Sequence, residues 1–286
     1  MIAVGPKKRL TLEYCVDEEL KDLINRNAIS SLLRAFVHCY ELFKEGGVSY
    51  ISEFSRRATL ALYRSFTCSN VKPLLERASN YIRTLYEEMS KIFDAVFAID
   101  IKLTSRLTIH TRNPFLPLDI SLAWDPILNL PYIPSSSIKG TMRSWMESAD
   151  IVSISGVSIK EVFGPSPGEE SKYMGLVVLT DAYPISCIDH LIEPEVITPH
   201  YSYTKPAISE AESSPAPLLF PTIASGTVLR FITALNYMHS DKRVLNANTA
   251  LKLIECILRA LEDGIGAKTT IGYGRTKAMI SHKTTH

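Results

Sequence analysis

A glycine-rich segment near the C-terminal end of the chain determines how the last third of the sequence is interpreted. It reads Asp263-Gly264-Ile265-Gly266-Ala267-Lys268-Thr269-Thr270-Ile271-Gly272-Tyr273-Gly274-Arg275. The segment follows an amphipathic helical pattern over residues 244–261 and precedes a predicted strand over residues 276–281. Glycine permits positive φ and close backbone approach, so exposed N–H groups can face a phosphate. Lys268, Thr269 and Arg275 add charge and hydroxyl donors, and no acidic residue follows Asp263.

Two familiar phosphate-binding motifs do not fit this loop. A P-loop requires Gly-Lys-Thr after a strand, whereas this chain has Ala267-Lys268-Thr269 after a helix. A dinucleotide-binding fingerprint requires a third glycine at position 269, which is threonine. Two interpretations therefore stay open, namely a phosphate contact and a helix C-cap followed by a glycine-rich turn.

The pattern upstream of this loop predicts an α+β fold. Strands are predicted over residues 98–110, 176–182 and 226–237, and one more is needed between residues 150 and 165. Helices are predicted after Ser136 and over residues 244–261. The order strand, helix, strands, helix, strand is that of a ferredoxin-like (RRM-like) sheet with helices on one face. Residues 184–221 contain seven prolines, so residues 184–222 are predicted to form a long irregular insertion.

The first third of the chain has a different character. Apolar residues recur at helical spacing from Ile29, near residues 54–66 and after Pro73, and Gly46-Gly47 is predicted to end the first of these helices. We therefore predict an N-terminal helical region over residues 1–97 and an RNA-binding ferredoxin-like domain over residues 98–286.

Composition limits the functional classes. Hydrophobic residues make up 46% of the chain and charged residues 21%, which is typical of a globular protein. The net charge of +1 argues mildly against nucleic-acid binding, so a local concentration of charge must carry that case. The five cysteines are scattered, odd in number and without a CxxC pair, which argues against a disulfide framework or a zinc site. This pattern fits a reducing cytoplasm, and no apolar run is long enough to cross a membrane.

A second candidate site lies at the start of the helix predicted after Ser136. It reads Pro131-Tyr132-Ile133-Pro134-Ser135-Ser136-Ser137-Ile138-Lys139-Gly140-Thr141-Met142-Arg143. Free N–H groups at a helix N-terminus favour an anion, and the three serines add hydroxyl donors. Lys139 and Arg143 are four residues apart and share one helical face. The alternative is an ordinary serine cap with two solvated basic residues.

Together these segments resemble the RAMP superfamily of CRISPR-associated proteins. The closing Gly-x-Gly-x5-Gly-x-Gly loop resembles the glycine loop of that superfamily, and residues 133–143 resemble its effector-complex branch. Residues 180–184, 196–201 and 215–220 are similar to the sixth-subunit family of type III-B (Cmr) complexes. The resemblance spans residues 98–282, whereas the first 97 residues carry no matching motif. Ser135 stands where this family usually has glycine.

The resemblance implies a non-catalytic backbone subunit near the 3′ end of the guide RNA. Such a subunit would hold guide (CRISPR) RNA and target RNA through phosphate contacts and would bind no cofactor or metal. Its neighbours would be the repeating backbone slicer subunit, the small helical subunit and the first Cmr subunit. The RNA-binding residues implied are Ser135, Ser136, Ser137, Lys139, Arg143, His200, Tyr201, Lys205, Gly264, Gly266, Lys268, Thr269, Gly272, Gly274 and Arg275.

An enzymatic alternative rests on histidine and aspartate residues. Some RAMP proteins process guide-RNA precursors with a histidine base, for which His110, His200 and His239 are candidates. Asp119 and Asp125 lie in the loop where the slicer subunit carries its acidic residue. A third alternative is a protein-interaction module that binds no RNA, and a fourth is a backbone subunit of a type III-A complex.

Overall fold

The chain is a mixed α/β structure with antiparallel sheets. A computed structural model describes residues 11–43, 48–165, 168, 173–198, 217–239, 242–243 and 245–285. The helices in this part of the chain are α1 (Leu12–Glu19), α2 (Ala28–Phe43), α3 (Val48–Ser65), α4 (Cys68–Met89), α5 (Ser135–Ser148), α6 (Ile159–Phe163) and α7 (Ala247–Glu262). The strands are β1 (Ala95–Leu103), β2 (Trp124–Asp125), β3 (Leu130–Pro131), β4 (Ser153–Ile154), β5 (Val157–Ser158), β6 (Val177–Leu179), β7 (Tyr183–Ser186), β8 (Ile192–Ile197), β9 (Leu218–Ile223), β10 (Val228–Leu235), β11 (Met238–His239), β12 (Lys242–Arg243) and β13 (Thr276–Thr285).

The largest sheet is built around β1. Its strand order is β13-β1-β10-β6, with β7 also paired to β10, and every pairing is antiparallel. Helices α5 and α7 cover one face and α4 covers the other. Thr276 contacts α7 and Thr284 contacts α4, and their partners on β1 are Leu103 and Val96. Because these partners are an odd number of residues apart, they point to opposite faces of the sheet. This burial on both sides explains why β1 is almost entirely apolar.

The predicted elements of the second domain are confirmed with shifted ends. Residues 104–110 leave the sheet that their alternation predicted, and Leu107 and Thr108 instead form isolated bridges to Ile223 and Ala267. The strand predicted between residues 150 and 165 is wrong as a member of this sheet, since β4 and β5 pair only with each other. Short hairpins satisfy their own hydrogen bonds, so alternation alone does not show which sheet a strand joins.

The predicted irregular insertion contains regular structure at both ends. β7 belongs to the largest sheet, and β8 pairs with β9 from Ile192↔Ile223 to Ile197↔Leu218. The prediction of irregular backbone over residues 184–222 is therefore wrong for these segments. Prolines 184, 194 and 221 are tolerated because these strands are edge strands, where a missing N–H costs little. Residues 199–216 lie outside the described residues.

The N-terminal helices pack against the rest of the molecule. Helix α4 contacts β7 and β10, and α3 contacts β8 and β9, so buried residues of both regions form one continuous core. Asn129 joins the two regions. Its Oδ1 accepts from the N–H of Ala28 at the start of α2 (2.8 Å), and its Nδ2 donates to the Leu23 carbonyl (3.0 Å). The two predicted regions therefore pack together without a gap at the boundary predicted at residue 97.

Helix α4 begins at Cys68, five residues before Pro73. The sequence pattern predicted that this helix starts after Pro73. The Thr67 hydroxyl caps it by accepting from the Asn70 N–H (3.3 Å). Pro73 removes one N–H close to the start of the helix, which the burial of Leu74, Ala78 and Ile82 outweighs.

Two disulfides overturn the expectation that the cysteines are unpaired. Cys15 bonds to Cys39, with Cα atoms 5.9 Å apart, and Cys68 bonds to Cys187, with Cα atoms 5.7 Å apart. Packing of α1 on α2 brings the first pair together, and the second pair joins the start of α4 to the segment after β7. Partners 24 and 119 residues apart leave no local motif, so spacing in the sequence does not reveal them. Cys256 is free.

The second disulfide is expected to stabilise the fold. Replacing Cys187 by Ser should lower the free energy of unfolding by about 2–4 kcal/mol, because the open chain gains conformational entropy when it unfolds. Urea titration without reductant measures this change. The matched control is Cys256→Ser, which should change the free energy by less than about 0.5 kcal/mol. Titration of five free thiols in the unreduced, unfolded protein would contradict the pairing.

Candidate nucleic-acid interface

The glycine loop folds back onto the segment that follows β1. The N–H of Ala267 donates to the Thr108 carbonyl and the N–H of Gly274 donates to the Arg106 carbonyl, both at 2.8 Å. The N–H of Ile265 donates to the Gly274 carbonyl (3.0 Å), which closes the loop. The loop is therefore held at two points to the segment that follows β1, and residues 270–272 in its middle are exposed.

Glycine is required at two of these positions. An added Cβ at Gly266 would lie 2.5 Å from the Thr108 carbonyl oxygen, and one at Gly274 would collide with the Ile265 carbonyl. Both residues also have positive φ. The glycine-rich turn expected after the helix is present, and Gly264 and Gly272 also have positive φ.

The middle of the loop presents free donors. Residues 269–271 form a short 3-10 helix, and Lys268 precedes it with a φ of 65°. Among the described residues, the N–H groups of Lys268, Thr269 and Thr270 have no acceptor. The Lys268 ammonium lies 5.8 Å from the centre of the Phe220 ring on β9 and forms no ion pair with any described residue. The loop therefore has three N–H groups and one ammonium that are available to donate to an anion.

Arg275, the other cation of the loop, is partly engaged within the protein. Its guanidinium donates to the Asp263 carbonyl, and its backbone N–H donates to the Ser105 hydroxyl (2.9 Å). The side chain is 46% exposed. Because a guanidinium carries five N–H donors, Arg275 can brace the end of α7 and still offer donors to a ligand.

The N-terminus of α5 is already occupied by a carboxylate. Asp181 Oδ1 accepts from the Ser135 N–H at 2.6 Å. The serine cap predicted at Ser136 is wrong, because Pro134 precedes the helix and no side chain of its own turn caps it. The acceptor comes from a residue between β6 and β7, 46 residues along the chain, and only the tertiary structure places it there. Ser136 is exposed, and Ser135 and Ser137 are half-buried.

Lys139 and Arg143 share one face of α5 as expected but have different surroundings. Arg143 donates to the Gly164 carbonyl (2.6 Å) and its guanidinium lies 5.9 Å from the centre of the Phe163 ring, so it holds the end of α6. Lys139 is half-buried and forms no ion pair with any described residue. Burial, and then the nearby Arg143 charge, lower the pKa of Lys139 below its ordinary value. A half-buried ammonium without a counter-ion gains from an anionic ligand.

Arg106 is a residue that the sequence patterns missed. Its guanidinium donates to Glu193 (2.7 Å) and to Glu195 (2.5 Å) of β8. The Tyr273 hydroxyl donates to Glu195, and burial followed by the Glu195 charge raises the pKa of Tyr273. This network fixes the β8–β9 hairpin beside the glycine loop. In the sequence, the signal for this network was the spacing of Glu193 and Glu195, because two residues apart on a strand share one face.

His200, Tyr201 and Lys205 belong to the connection between β8 and β9. These three residues lie outside the described residues.

The two candidate loops both adjoin the half of the largest sheet that contains the end of β1. Leu103 at the end of β1 pairs with Thr276, directly after the glycine loop, and Ile133, just before α5, bridges to Ala182 beside β7. The loops sit over opposite edges, because β13 and β7 are separated by β1 and β10. Three strand spacings correspond to about 14 Å.

The acidic candidates for catalysis are engaged structurally. Asp125 Oδ1 accepts from the N–H groups of Ile127 (2.7 Å) and Leu128 (2.9 Å), and its Oδ2 accepts from the Tyr183 hydroxyl (2.7 Å). Asp119 packs against α3, where burial raises its pKa and a hydrogen bond from Ser52 partly offsets that effect. Within the described ranges, no group of three or more histidine, cysteine, aspartate or glutamate side chains could hold a metal ion.

Comparisons with known proteins identify the family. Residues 100–277 match the model of the RAMP superfamily, which covers more than half of the chain. The chain belongs to the RAMP superfamily. It is 31% identical over 202 residues to the protein named CRISPR system CMR subunit Cmr6 of Saccharolobus solfataricus. That match covers 69% of this chain and 63% of the relative, so the chain aligns with less than two thirds of that protein's length.

A solved structure shares the fold over nearly the whole chain. A chain in the cryo-EM structure of the type III-B Cmr-beta complex bound to cognate target RNA superimposes with a TM-score of 0.71 and 23% identity. The match covers 96% of this chain and 98% of that chain, so it includes the N-terminal helices. In the described residues, no helix is both long enough and apolar enough to cross a bilayer.

The carboxylate at the start of α5 is expected to stabilise that helix. Asp181→Ala should lower the free energy of unfolding by about 1 kcal/mol, because the Ser135 N–H loses its acceptor. Asp181→Asn keeps an acceptor oxygen and should cost less. Urea titration compares the variants, and equal stability of Asp181→Ala and the unmodified protein would refute the capping role.

Proposed function

We propose that the chain is a non-catalytic backbone subunit of a type III-B CRISPR (Cmr) effector complex, which binds guide RNA and target RNA near the guide 3′ end. The observation that carries this proposal is the 31% identity to Cmr6 over 202 residues. The two loops with free donors, residues 133–143 and 264–275, support the RNA-binding part of the proposal.

The proposal includes a ferredoxin-like fold for the second domain. β1, α5, β6, β10, α7 and β13 follow one another as strand, helix, two strands, helix and strand. The strands lie in the sheet in the order β13, β1, β10 and β6. The fourth strand of this unit is therefore beside the first, and the third lies between the first and the second. Both α5 and α7 contact one face. This arrangement supports a βαββαβ unit of the ferredoxin-like type, with the β8–β9 hairpin and its connection inserted between its second and third strands.

The two loops are proposed to bind phosphate groups by different means. In the glycine loop, the N–H groups of Lys268, Thr269 and Thr270 and the Lys268 ammonium offer donors directly. At the start of α5, Lys139 and the three serine hydroxyls offer donors, while the Asp181 carboxylate occupies the Ser135 N–H. Such contacts hold a nucleic acid independently of its sequence, and base pairing between guide and target supplies sequence readout. His200, Tyr201 and Lys205 remain proposed contacts.

Protein partners and location follow from the same proposal. The partners would be the repeating backbone slicer subunit, the small helical subunit and the first Cmr subunit, and the complex would act in the cytoplasm. Disulfides are rare in cytosolic proteins except in those of hyperthermophilic archaea and bacteria. The two disulfides of this chain are therefore compatible with a cytoplasmic complex in a host of that kind.

The proposal assigns no catalytic step to this chain. Asp125 already accepts three hydrogen bonds from the protein, and Asp119 packs against α3, so both have structural roles. A stand-alone guide-processing endonuclease and a type III-A backbone subunit are the competing assignments. The first is tested by cleavage and the second by the partners that copurify.

Copurification from native cells tests the assignment. The tagged chain should bring down short RNA with a uniform 5′ end together with Cmr subunits. Type III-A subunits in their place would favour the competing complex. Recovery of neither RNA nor CRISPR-associated proteins would refute the proposed function.

Charge reversal in the glycine loop should weaken RNA binding. Lys268→Glu is expected to lower the affinity of the full chain for single-stranded RNA about tenfold at low salt, because a phosphate contact becomes repulsive. Fluorescence anisotropy over a salt series measures the change. The matched control is Lys283→Glu, the same charge change at the far end of β13. Equal losses in both variants would point to net charge rather than to the loop.

The purified chain is expected not to cleave RNA. Repeat-containing RNA incubated with the protein, with and without Mg²⁺, should stay intact on a denaturing gel, because the described acidic candidates serve the fold. The assay includes His200→Ala beside the unmodified chain. Metal-free cleavage that is lost in His200→Ala would establish the processing endonuclease instead.

A further inference from the structure

Two lysines face each other on the outermost strand pair of the largest sheet, β1 and β13. Lys102 of β1 is the direct cross-strand partner of Lys277 of β13. Both side chains are exposed, and neither forms a hydrogen bond or an ion pair with any described residue. Like charges directly opposite each other destabilise a sheet. The fold alone therefore gives no reason for this arrangement, which a polyanion laid across both residues would explain.

The lysine pair lies on the part of the sheet face that α4 leaves open. Val96, Ala98, Asp100 and Lys102 alternate along one face of β1. Helix α4 covers the far end of that face, where the Tyr86 hydroxyl hydrogen-bonds to Thr284 (2.7 Å). Toward Lys102, at the other end of this face, the cross-strand partner of Asp100 is Met279, which is 55% exposed.

The acid next to the pair cannot neutralise it. Both carboxylate oxygens of Asp100 accept from the Arg230 guanidinium, at 2.5 and 2.8 Å. A bidentate pair of this kind is strong and geometrically fixed. Asp100 and Arg230 therefore cancel each other's charge. The Glu262 carboxylate accepts from the Ala278 N–H (3.4 Å) at the outer edge of β13, but it forms no ion pair with Lys102 or Lys277.

The lysine surface, defined by Lys102, Lys277 and Met279, is continuous with the glycine loop. β13 begins directly after Arg275, so Lys277 is the second residue beyond the loop. On the neighbouring strand, Thr104 follows Lys102 by two residues and its N–H donates to the Arg275 carbonyl (2.8 Å). The lysine surface therefore begins within two residues of the loop on both strands.

We propose that the lysine surface binds the phosphate backbone of a single RNA strand as it leaves the glycine loop. The inference rests on the proposed function and extends it to a surface outside both motif loops. Cross-strand Cβ atoms lie about 5 Å apart, and a single strand places a phosphate every few ångströms, so each ammonium can meet its own phosphate. Met279 offers no aromatic ring for stacking, which makes the contact one to backbone rather than to bases.

Charge reversal with a control on the same strand tests the proposal. Lys102→Glu and Lys277→Glu should each lower the affinity of the full chain for single-stranded RNA several-fold and reduce the salt slope by about 0.7. Lys283→Glu carries the same charge change, six residues along β13 from Lys277 and thus about 20 Å away. It should bind as the unmodified chain does.

A stability measurement separates this role from a structural one. Lys102→Glu turns the like-charged pair into an opposite-charged pair, so its Tm should be unchanged or rise by about 1–3 °C. The variant should therefore be at least as stable while binding RNA more weakly. A fall in Tm that accompanies the loss of affinity would assign Lys102 to the fold and overturn the proposal.

The remaining outcomes separate this inference from the proposed function. Unchanged RNA affinity in both Lys102→Glu and Lys277→Glu, with a loss in Lys268→Glu, would overturn the lysine surface and leave the function standing. Unchanged RNA affinity with loss of a copurifying protein would assign the surface to an acidic protein instead. Absence of RNA binding by the unmodified chain would overturn the proposed function, and this inference with it.

Discussion

The hydrogen bonding of β1 on both of its edges is the constraint on which the rest of the structure depends. β1 pairs with β10 along eight residues and with β13 along nine. This register fixes where β13 begins, and so brings the glycine loop to the end of β1. It also sets the level at which β7 joins β10, and thereby positions the start of α5. Both candidate loops owe their common location to one buried strand.

The N-terminal helices are tied to this sheet by contacts that span long stretches of chain. The buried Asn129 side chain caps α2 from a loop 101 residues away, and Cys68 is bonded to Cys187 after β7. Helix α4 then covers only one end of the outer sheet face. The extent of that cover decides which charged residues stay accessible, so the helical region shapes the proposed RNA surface without a motif of its own.

The protein uses its own charges to support much of the candidate interface. Carboxylates of Asp100, Glu193 and Glu195 engage Arg230 and Arg106, and the Asp181 carboxylate engages the start of α5. Arginine suits these fixed contacts, because the N–H groups of its planar guanidinium match the geometry of a carboxylate. The cations that stay unpaired among the described residues include Lys139, Lys268, Lys102 and Lys277. A net charge of +1 is thus compatible with a local basic surface, because the net charge averages over every part of the chain.

By itself, the sequence determined the class of fold and the two loops, because apolar periodicity and glycine spacing are local patterns. The buried face of α5, formed by Ile138, Met142 and Met146, follows from apolar spacing along the chain. The positive φ values of the glycine loop follow from its glycine spacing. Only the tertiary structure decided the disulfide pairs, the Asp181 cap, the Arg106 network and the exposure of Lys102 opposite Lys277. Each of these joins residues from distant segments. Such contacts depend on strand register and helix packing, which a local pattern does not contain.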